Sequence, residues 1–281
     1  KLQDAAAIIK SGGLVVFPTE TVYGLGGNGL LADAAKAIYS AKGRPSDNPL
    51  IIHIAEPSDA DKYAQTSDIY YRLADAFMPG PLTVIMPKRD CIPHSVTGGL
   101  ETVAVRCPSH PVAHELIKEC GVPIAAPSAN ISGRPSPTDA KYVIEDMNGR
   151  VDMIIDGGAC EIGLESTIIK LDGDHVIMLR PGGITYDALS CVSENVTIAD
   201  AVISEPAKDV RPLSPGMMYK HYAPVAPVVL LEGEADDVIS FLQKELSSKK
   251  CLVMCYHEEL PLLNSNDVID IGRSCELDVQ A

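Results

Sequence analysis

With 281 residues, 46% of them hydrophobic, the chain can bury one large core or two smaller ones, which makes it a globular protein of one to two domains. Its 23 basic against 38 acidic residues give a formal charge of −15, which repels a polyphosphate from most of the surface, so any phosphate site has to be local. No run approaches the roughly 18 consecutive apolar residues of a membrane helix, and residues 1–17 lack the pattern of a secretory signal, so a cytoplasmic protein is expected.

Residues 4–13, DAAAIIKSGG, read as an ordinary first helix, so nothing essential is expected to be missing before it although the chain starts at Lys1 rather than Met. LVVF at 14–17 has strand character and ends at Pro18. PTETVYGLG (18–26) follows, with the Thr19 and Thr21 hydroxyls and the Glu20 charge where a strand opens into a loop, the usual ligand edge of an α/β sheet. A structural loop can use threonine this way, but the combination with Glu20 and Tyr23 favours a small polar ligand. GLGGNG (24–29) satisfies G-x-G-x-x-G, yet PTETVY separates it from the strand, and the acidic residue sought about 20 positions on would be Asp47, inside a basic loop. Glycines that let the backbone turn sharply and pack closely are the better reading.

ADAAKAIYSAK (32–42) has a helical period and runs into KGRPSDNPL (42–50). Lys42 ends that helix, where a cation offsets the dipole. Arg44 has no such role. Held between Gly43 and Pro45, its guanidinium is presented with little freedom, as bidentate phosphate recognition favours, and Asn48 adds an amide. LIIHIA (50–55) is a strand in which His53 faces the core or a pocket; SDIYYRLADAFM (67–78) is a helix; LTVIM (82–86) and TVAVR (102–106) are strands, the second closing on Arg106. Helix PVAHELIKEC (111–120) is stopped by Gly121, and strand PIAAP (123–127) runs into Ser128 and Asn130. Ser136-Pro137-Thr138-Asp139 has the form of an N-cap, a first-turn proline and an acidic third position, which predicts a helix amino terminus at Ser136 and an anion seat there. VDMIID (151–156) reads as a strand, and STIIKL with HVIMLR flanks Asp172-Gly173-Asp174 as a hairpin that closes on Arg180. The sheet is therefore mixed. Lys42, Arg44, Arg106 and Arg180 are expected to line one cationic pocket suited to a nucleoside triphosphate and a carboxylate; with G-x-x-x-x-G-K-[ST] absent, the cradle is of another kind.

Composition changes near residue 205, and 211–227 reads as a proline-rich connector. VVLL, then EADDVISFLQKELSSKK, then CLVMCY predict a strand, helix, strand unit, giving a larger α/β domain at 1–205, a linker at 206–227 and a small α/β domain at 228–281. The eight cysteines include no C-x-x-C, which argues against a zinc knuckle or disulfide framework; Cys251 and Cys255 are expected on one face of a core strand.

In this order and spacing, PTETVYGLG, KGRPSDNPLIIHI, PGPLTVIMP, VAVRCP, APSANISGRPSPT, LESTII and LRPGGIT resemble the YrdC-like threonylcarbamoyl-AMP synthases over residues 1–190. SPGMMYKHYAP and the small unit after it are similar to the longer two-domain form, with the second domain shortened. The resemblance implies a YrdC/RibB-like twisted mixed α/β sheet with flanking helices, plus a smaller C-terminal Rossmann-like α/β domain. It implies a nucleotidyltransferase reaction: L-threonine, bicarbonate and ATP give threonylcarbamoyl-AMP and pyrophosphate. The product would pass to downstream tRNA threonylcarbamoyl-transfer machinery for N6-threonylcarbamoyladenosine, with no need for tRNA to bind directly and no membrane involved. By position it implies Thr21, His53, Arg106, Ser166 and the backbone at Ala126 for threonine, Arg106 meeting the carboxylate. It implies Lys42, Arg44, Asn48, Thr102, Ser128, Asn130, Ser136 and Arg180 for ATP, with Lys42 and Arg44 as the catalytic cations on the phosphates. Tyr219, His221 and Tyr222 of the connector are implied as further ligand contacts, and Mg²⁺ is expected with ATP rather than in an all-protein cage. A non-catalytic RNA-binding relative is the alternative, and the charge of −15 speaks against it.

Overall fold

The alternating apolar runs fold into one sheet. In the computed structural model, which describes residues 1–203 and 226–274, the first unit runs α1 (Leu2–Lys10), β1 (Val15–Phe17), β2 (Gly24–Asn28), α2 (Ala32–Lys42), β3 (Ile51–His53), a 3-10 turn (Pro57–Lys62), α3 (Asp68–Phe77), β4 (Leu82–Pro87) and β5 (Thr102–Arg106). It continues with α4 (Pro111–Cys120), β6 (Ile124–Ala126), α5 (Ala140–Met147), β7 (Met153–Ile154), β8 (Thr167–Asp172), β9 (His175–Arg180), α6 (Tyr186–Val192), β10 (Val196–Ile198) and α7 (Asp200–Ile203). Ten strands lie in the order β10-β9-β8-β4-β5-β3-β6-β2-β1-β7. Four pairs are parallel (β10/β9, β8/β4, β5/β3, β1/β7) and five antiparallel, three of these in succession from β3 through β6 and β2 to β1, the mixed sheet that the hairpin implied.

Alternation of side chains along each strand divides the core. Val16, Leu25, Ile52, Val84, Val105 and Ile169 point into the main cluster, shared with Ile38 of α2, Leu73 of α3 and Val143 of α5. On the opposite face Val15, Phe17, Ile124 and Ala126 pack under α1 and α4, while Ile51, Ile85, Ala104, Ile168 and Leu179 form a separate apolar patch. Helices α2 and α4 end at Gly43 (φ 61°) and Gly121 (φ 63°), the left-handed stops expected of glycine.

Three local expectations change. GLGGNG is not a turn: Gly24–Asn28 is strand β2 itself, and its glycines serve close packing, since a Cβ on Gly26 would sit 2.7 Å from both Ile124 and Phe17. The helix expected from Ser136 starts at Ala140, capped by Asp139 Oδ1, which accepts from the Lys141 amide at 3.0 Å. Upstream of it the Pro137 and Thr138 carbonyls are taken by the amides of Tyr23 and Cys160, so that backbone ties loops together rather than opening a helix. The strand read over 151–156 shrinks to Met153–Ile154.

A second unit, divided from the first between Ala223 and Pro224, contains α8 (Ala235–Ser248), β11 (Val253–Cys255), α9 (Leu260–Leu263) and β12 (Val268–Asp270). β11 and β12 pair in parallel, as a strand–helix–strand crossover requires, around Val253, Cys255 and Leu263. VVLL is not a strand; Val228, Val229 and Leu230 lie exposed, and Val268–Asp270 supplies β11's partner instead. Cys251 precedes the strand and is half-buried, so only Cys255 is a buried strand residue. Nearly all of the expected linker lies outside the described residues. No helix among the described residues is long and apolar enough to cross a membrane.

Candidate active site

Residues in register on adjacent strands share a face, and that rule assembles the site. His53 on β3 pairs with Arg106 on β5, Arg106 with Thr83 on β4, Thr83 with Ile168 on β8, and Ile168 with Arg180 on β9. One row across five strands thus carries an imidazole and two guanidiniums. A cleft opens on this face. Thr21, Arg44, His53, Arg106, Ala126, Ser128, Ser166 and Arg180 line it, joined by Thr19, Tyr23 and Glu165.

At one end the Thr19 and Thr21 hydroxyls meet at 2.9 Å, with Thr19 Oγ1 donating to the Val22 carbonyl at 2.7 Å. Arg106 is only 4% exposed; its Nη2 donates to Glu20 Oε1 at 2.6 Å, and its Nε has no hydrogen-bond partner among the described residues. A buried donor left unpaired is costly, so this edge of the guanidinium has an unmet demand for an acceptor. His53 Nδ1 lies 3.3 Å from the Ile124 carbonyl, which makes Nδ1 the protonated nitrogen. Burial first, and the Arg106 charge second, pull the His53 imidazolium down to about 3. The unfolded chain takes that proton near 6.5 and the folded chain does not, so stability is lost as pH falls from 6.5 towards 3. Denaturant unfolding should therefore show His53→Gln recovering about 2 kcal/mol relative to wild type between pH 6.5 and 4.5, from a limiting slope of about 1.4 kcal/mol per unit. An identical acid limb in both proteins would place the proton uptake elsewhere.

At the other end Arg180 Nη1 pairs with Glu165 Oε2 at 2.9 Å, while its Nη2 donates to the Ser166 carbonyl at 2.9 Å. Ser136 donates to Glu165 Oε1 at 2.8 Å, and Ser166 shares a 2.8 Å bond with Thr83. Arg44 Nη2 donates to the Pro49 carbonyl at 3.1 Å, holding the guanidinium against its own loop. Asn48 is buried beside it, with Oδ1 lacking a hydrogen-bond partner among the described residues.

Lys42 is placed apart from the lining residues. Its ammonium is not part of the cleft lining but is fully buried, donating to the Ser128 carbonyl, to the Asn130 carbonyl at 2.6 Å and to Asn130 Oδ1 at 3.2 Å. Burial, then the Arg44 charge, lowers its pKa to about 7, although three oxygen acceptors around one nitrogen favour the charged form. An ammonium has three N–H bonds, and in this geometry they meet three oxygens of the 128–130 loop. Asn130 is likewise internal, with Nδ2 donating to the carbonyls of Ile131 and Arg134. Thr102 shares Arg106's face but stands at the other end of β5 beside Pro87, about 13 Å along the strand, outside the cleft lining. Tyr219, His221 and Tyr222 lie outside the described residues. Glu165 was not singled out from the sequence; the signal was its place inside LESTII, next to Ser166.

Among the described residues no group of three or more His, Cys, Asp or Glu is placed to hold a metal. Glu165, which lines the cleft, and Glu20, which does not, are each paired with an arginine.

A family model described as "Telomere recombination", that of the Sua5/YciO/YrdC family, matches residues 7–182, and one described as "Threonylcarbamoyl-AMP synthase, C-terminal domain" matches residues 184–278. The threonylcarbamoyl-AMP synthase of Bacillus subtilis is 44% identical over 284 residues, covering 100% of this chain and 81% of its own length. That of Pyrococcus abyssi is 49% identical over 239 residues, 85% of this chain and 70% of the relative. The crystal structure of P. abyssi Sua5 complexed with L-threonine superposes with a TM-score of 0.90 at 42% identity, covering 99% of this chain and 82% of that one. Matches of this extent, running through both units, show that the chain belongs to the threonylcarbamoyl-AMP synthase family.

Proposed function

We propose that this chain joins L-threonine, bicarbonate and ATP into threonylcarbamoyl-AMP, releasing pyrophosphate, and so acts as a nucleotidyltransferase that supplies tRNA threonylcarbamoyl transfer. The observation that carries the reading is the convergence of Arg44, Arg106 and Arg180 on one cleft of a protein whose charge is −15. The solved relative complexed with L-threonine supports the amino-acid half.

The chemistry asks for position and charge rather than a protein nucleophile. The threonine nitrogen, having lost a proton, bonds to the carbon of carbon dioxide drawn from bicarbonate. An oxygen of the resulting carbamate then bonds to the α-phosphorus of ATP as the bond to the β,γ-diphosphate breaks. Two anions must be held in contact while charge builds on the leaving group, and fixed cations with backbone donors lower that barrier. Arg106 with Thr21, His53 and Ser166 forms the threonine end; Arg44, Arg180, Ser128 and Ser136 form the nucleotide end, braced by Lys42 and Asn130. Asn48 and Thr102 extend it. Mg²⁺ would arrive on the triphosphate and neutralise part of its charge.

The test is incubation with ATP, threonine and ¹⁴C-bicarbonate. Label in an adenylate, with an equal amount of pyrophosphate and dependence on threonine, is the expected result. Pyrophosphate or ADP formed without threonine-dependent labelling would remove the assignment.

A further inference from the structure

Thr19 and Thr21 line the cleft, and the residue between them does not. Glu20 faces the other way, only 3% exposed, directly behind Arg106. Its Oε1 accepts from Arg106 Nη2 at 2.6 Å, its Oε2 accepts from the Ser109 amide at 3.1 Å, and its backbone carbonyl accepts from the Ile162 amide at 2.8 Å. One residue thus joins the β1–β2 loop, the end of β5 and the loop before β8. The carboxylate occupies one nitrogen of the guanidinium and leaves the Nε edge buried and unpartnered.

We infer that Glu20 is a positioning residue for substrate recognition: it fixes the Arg106 guanidinium so that the Nε edge meets the substrate carboxylate, and its charge cancels that of Arg106 so that the site accepts a zwitterionic α-amino acid in preference to an anion. The inference rests on the reading of Arg106 as the threonine carboxylate contact. Two physical points carry it. A guanidinium is a rigid planar fork, so pinning one nitrogen sets the direction of the others. An arginine this deeply buried needs a counter-charge before substrate arrives, and Glu20 supplies it from the side away from the cleft. With Arg106 and Glu20 summing to zero, a ligand bearing both ammonium and carboxylate adds no net charge, whereas an anion adds an uncompensated one.

The experiment is calorimetric titration of the full chain with L-threonine and with 2,3-dihydroxybutanoate, which replaces the ammonium by a hydroxyl and carries one negative charge. Wild type should bind threonine and discriminate against the anion. Glu20→Gln keeps an acceptor for Ser109 and removes the charge; it should weaken threonine binding at least tenfold and narrow the preference for threonine over the anion by a similar factor. ATP affinity should stay within about twofold. Threonine binding within twofold of wild type, or an unchanged preference, overturns the proposal, as does an equal loss of ATP affinity. Should Glu20→Gln not fold, Glu20→Asp, which keeps the charge but draws the guanidinium back, is expected to weaken threonine binding with the preference intact. If neither folds, Glu20 has a structural part only and the proposal fails. A wild type that binds no threonine sinks the functional reading instead, so the two failures are distinguishable.

Discussion

Arg44→Ala is expected to reduce threonylcarbamoyl-AMP formation at least a hundredfold. Removing one fixed donor aimed at developing charge costs about 10²–10³ in turnover, or about 3–4 kcal/mol of barrier. Arg44 lines the cleft from a loop entered through left-handed Gly43, and its Nη2 is held by the Pro49 carbonyl. The guanidinium is therefore oriented before any phosphate arrives, and little of its interaction energy is consumed in ordering it. The Pro49 and Asn48 carbonyls that face its Nη2 are neutral, and a hydrogen bond of that kind contributes about 1 kcal/mol to stability. Pyrophosphate release at saturating threonine, set beside a thermal unfolding curve, separates the two effects. Arg44→Lys should recover only part of the rate, because an ammonium restores the charge without the two-pronged geometry. Full turnover in Arg44→Ala would strip this residue of the phosphate role.

How far the sequence could foretell this site depends on which contacts are local. Strand alternation was legible: His53 in LIIHIA, Arg106 closing TVAVR and Arg180 closing HVIMLR could each be assigned a pocket-facing or strand-end position from period two alone. Their alignment in one row was not, because the sheet interleaves β8, β4, β5 and β3 out of chain order, and no local pattern encodes that pairing. Glu20 and Arg106 meet across 86 residues of chain for the same reason. Lys42 ends its helix, which the sequence shows, but only the fold shows that the 128–130 loop surrounds it with oxygens. GLGGNG misled because a strand of glycines carries no apolar alternation; its strand character comes from neighbours, Phe17 and Ile124, that fill the space the missing side chains leave. Ser136 and Asp139 offer the same capping chemistry three residues apart, and the tertiary demand of Tyr23 and Cys160 on the intervening carbonyls decides for Asp139.

Arg106→Ala should produce two losses that respond differently to a second substitution. The first is recognition. A charge-assisted hydrogen bond contributes about 1.5–3 kcal/mol, so the threonine concentration for half-maximal rate should rise ten- to hundredfold or more, with the ATP requirement little changed. The second is stability: Glu20, 3% exposed, keeps its Ser109 amide but loses the guanidinium, and breaking a buried ion pair from one side costs about 3–5 kcal/mol. The Arg106 charge is also one cause of the lowered His53 pKa, so its removal lessens the stability that wild type loses through His53 as pH falls below 6.5. Unfolding at pH 7 and pH 4.5 should accordingly show the variant's deficit relative to wild type shrinking with acid. Adding Glu20→Gln to Arg106→Ala should restore most of the stability at pH 7, since no unpaired charge remains, and restore none of the threonine affinity, since the donor is still missing. Recovery of both together would mean that Arg106 supports the fold without touching substrate, whereas recovery of stability alone separates the ion pair that holds the site from the guanidinium edge that reads the carboxylate.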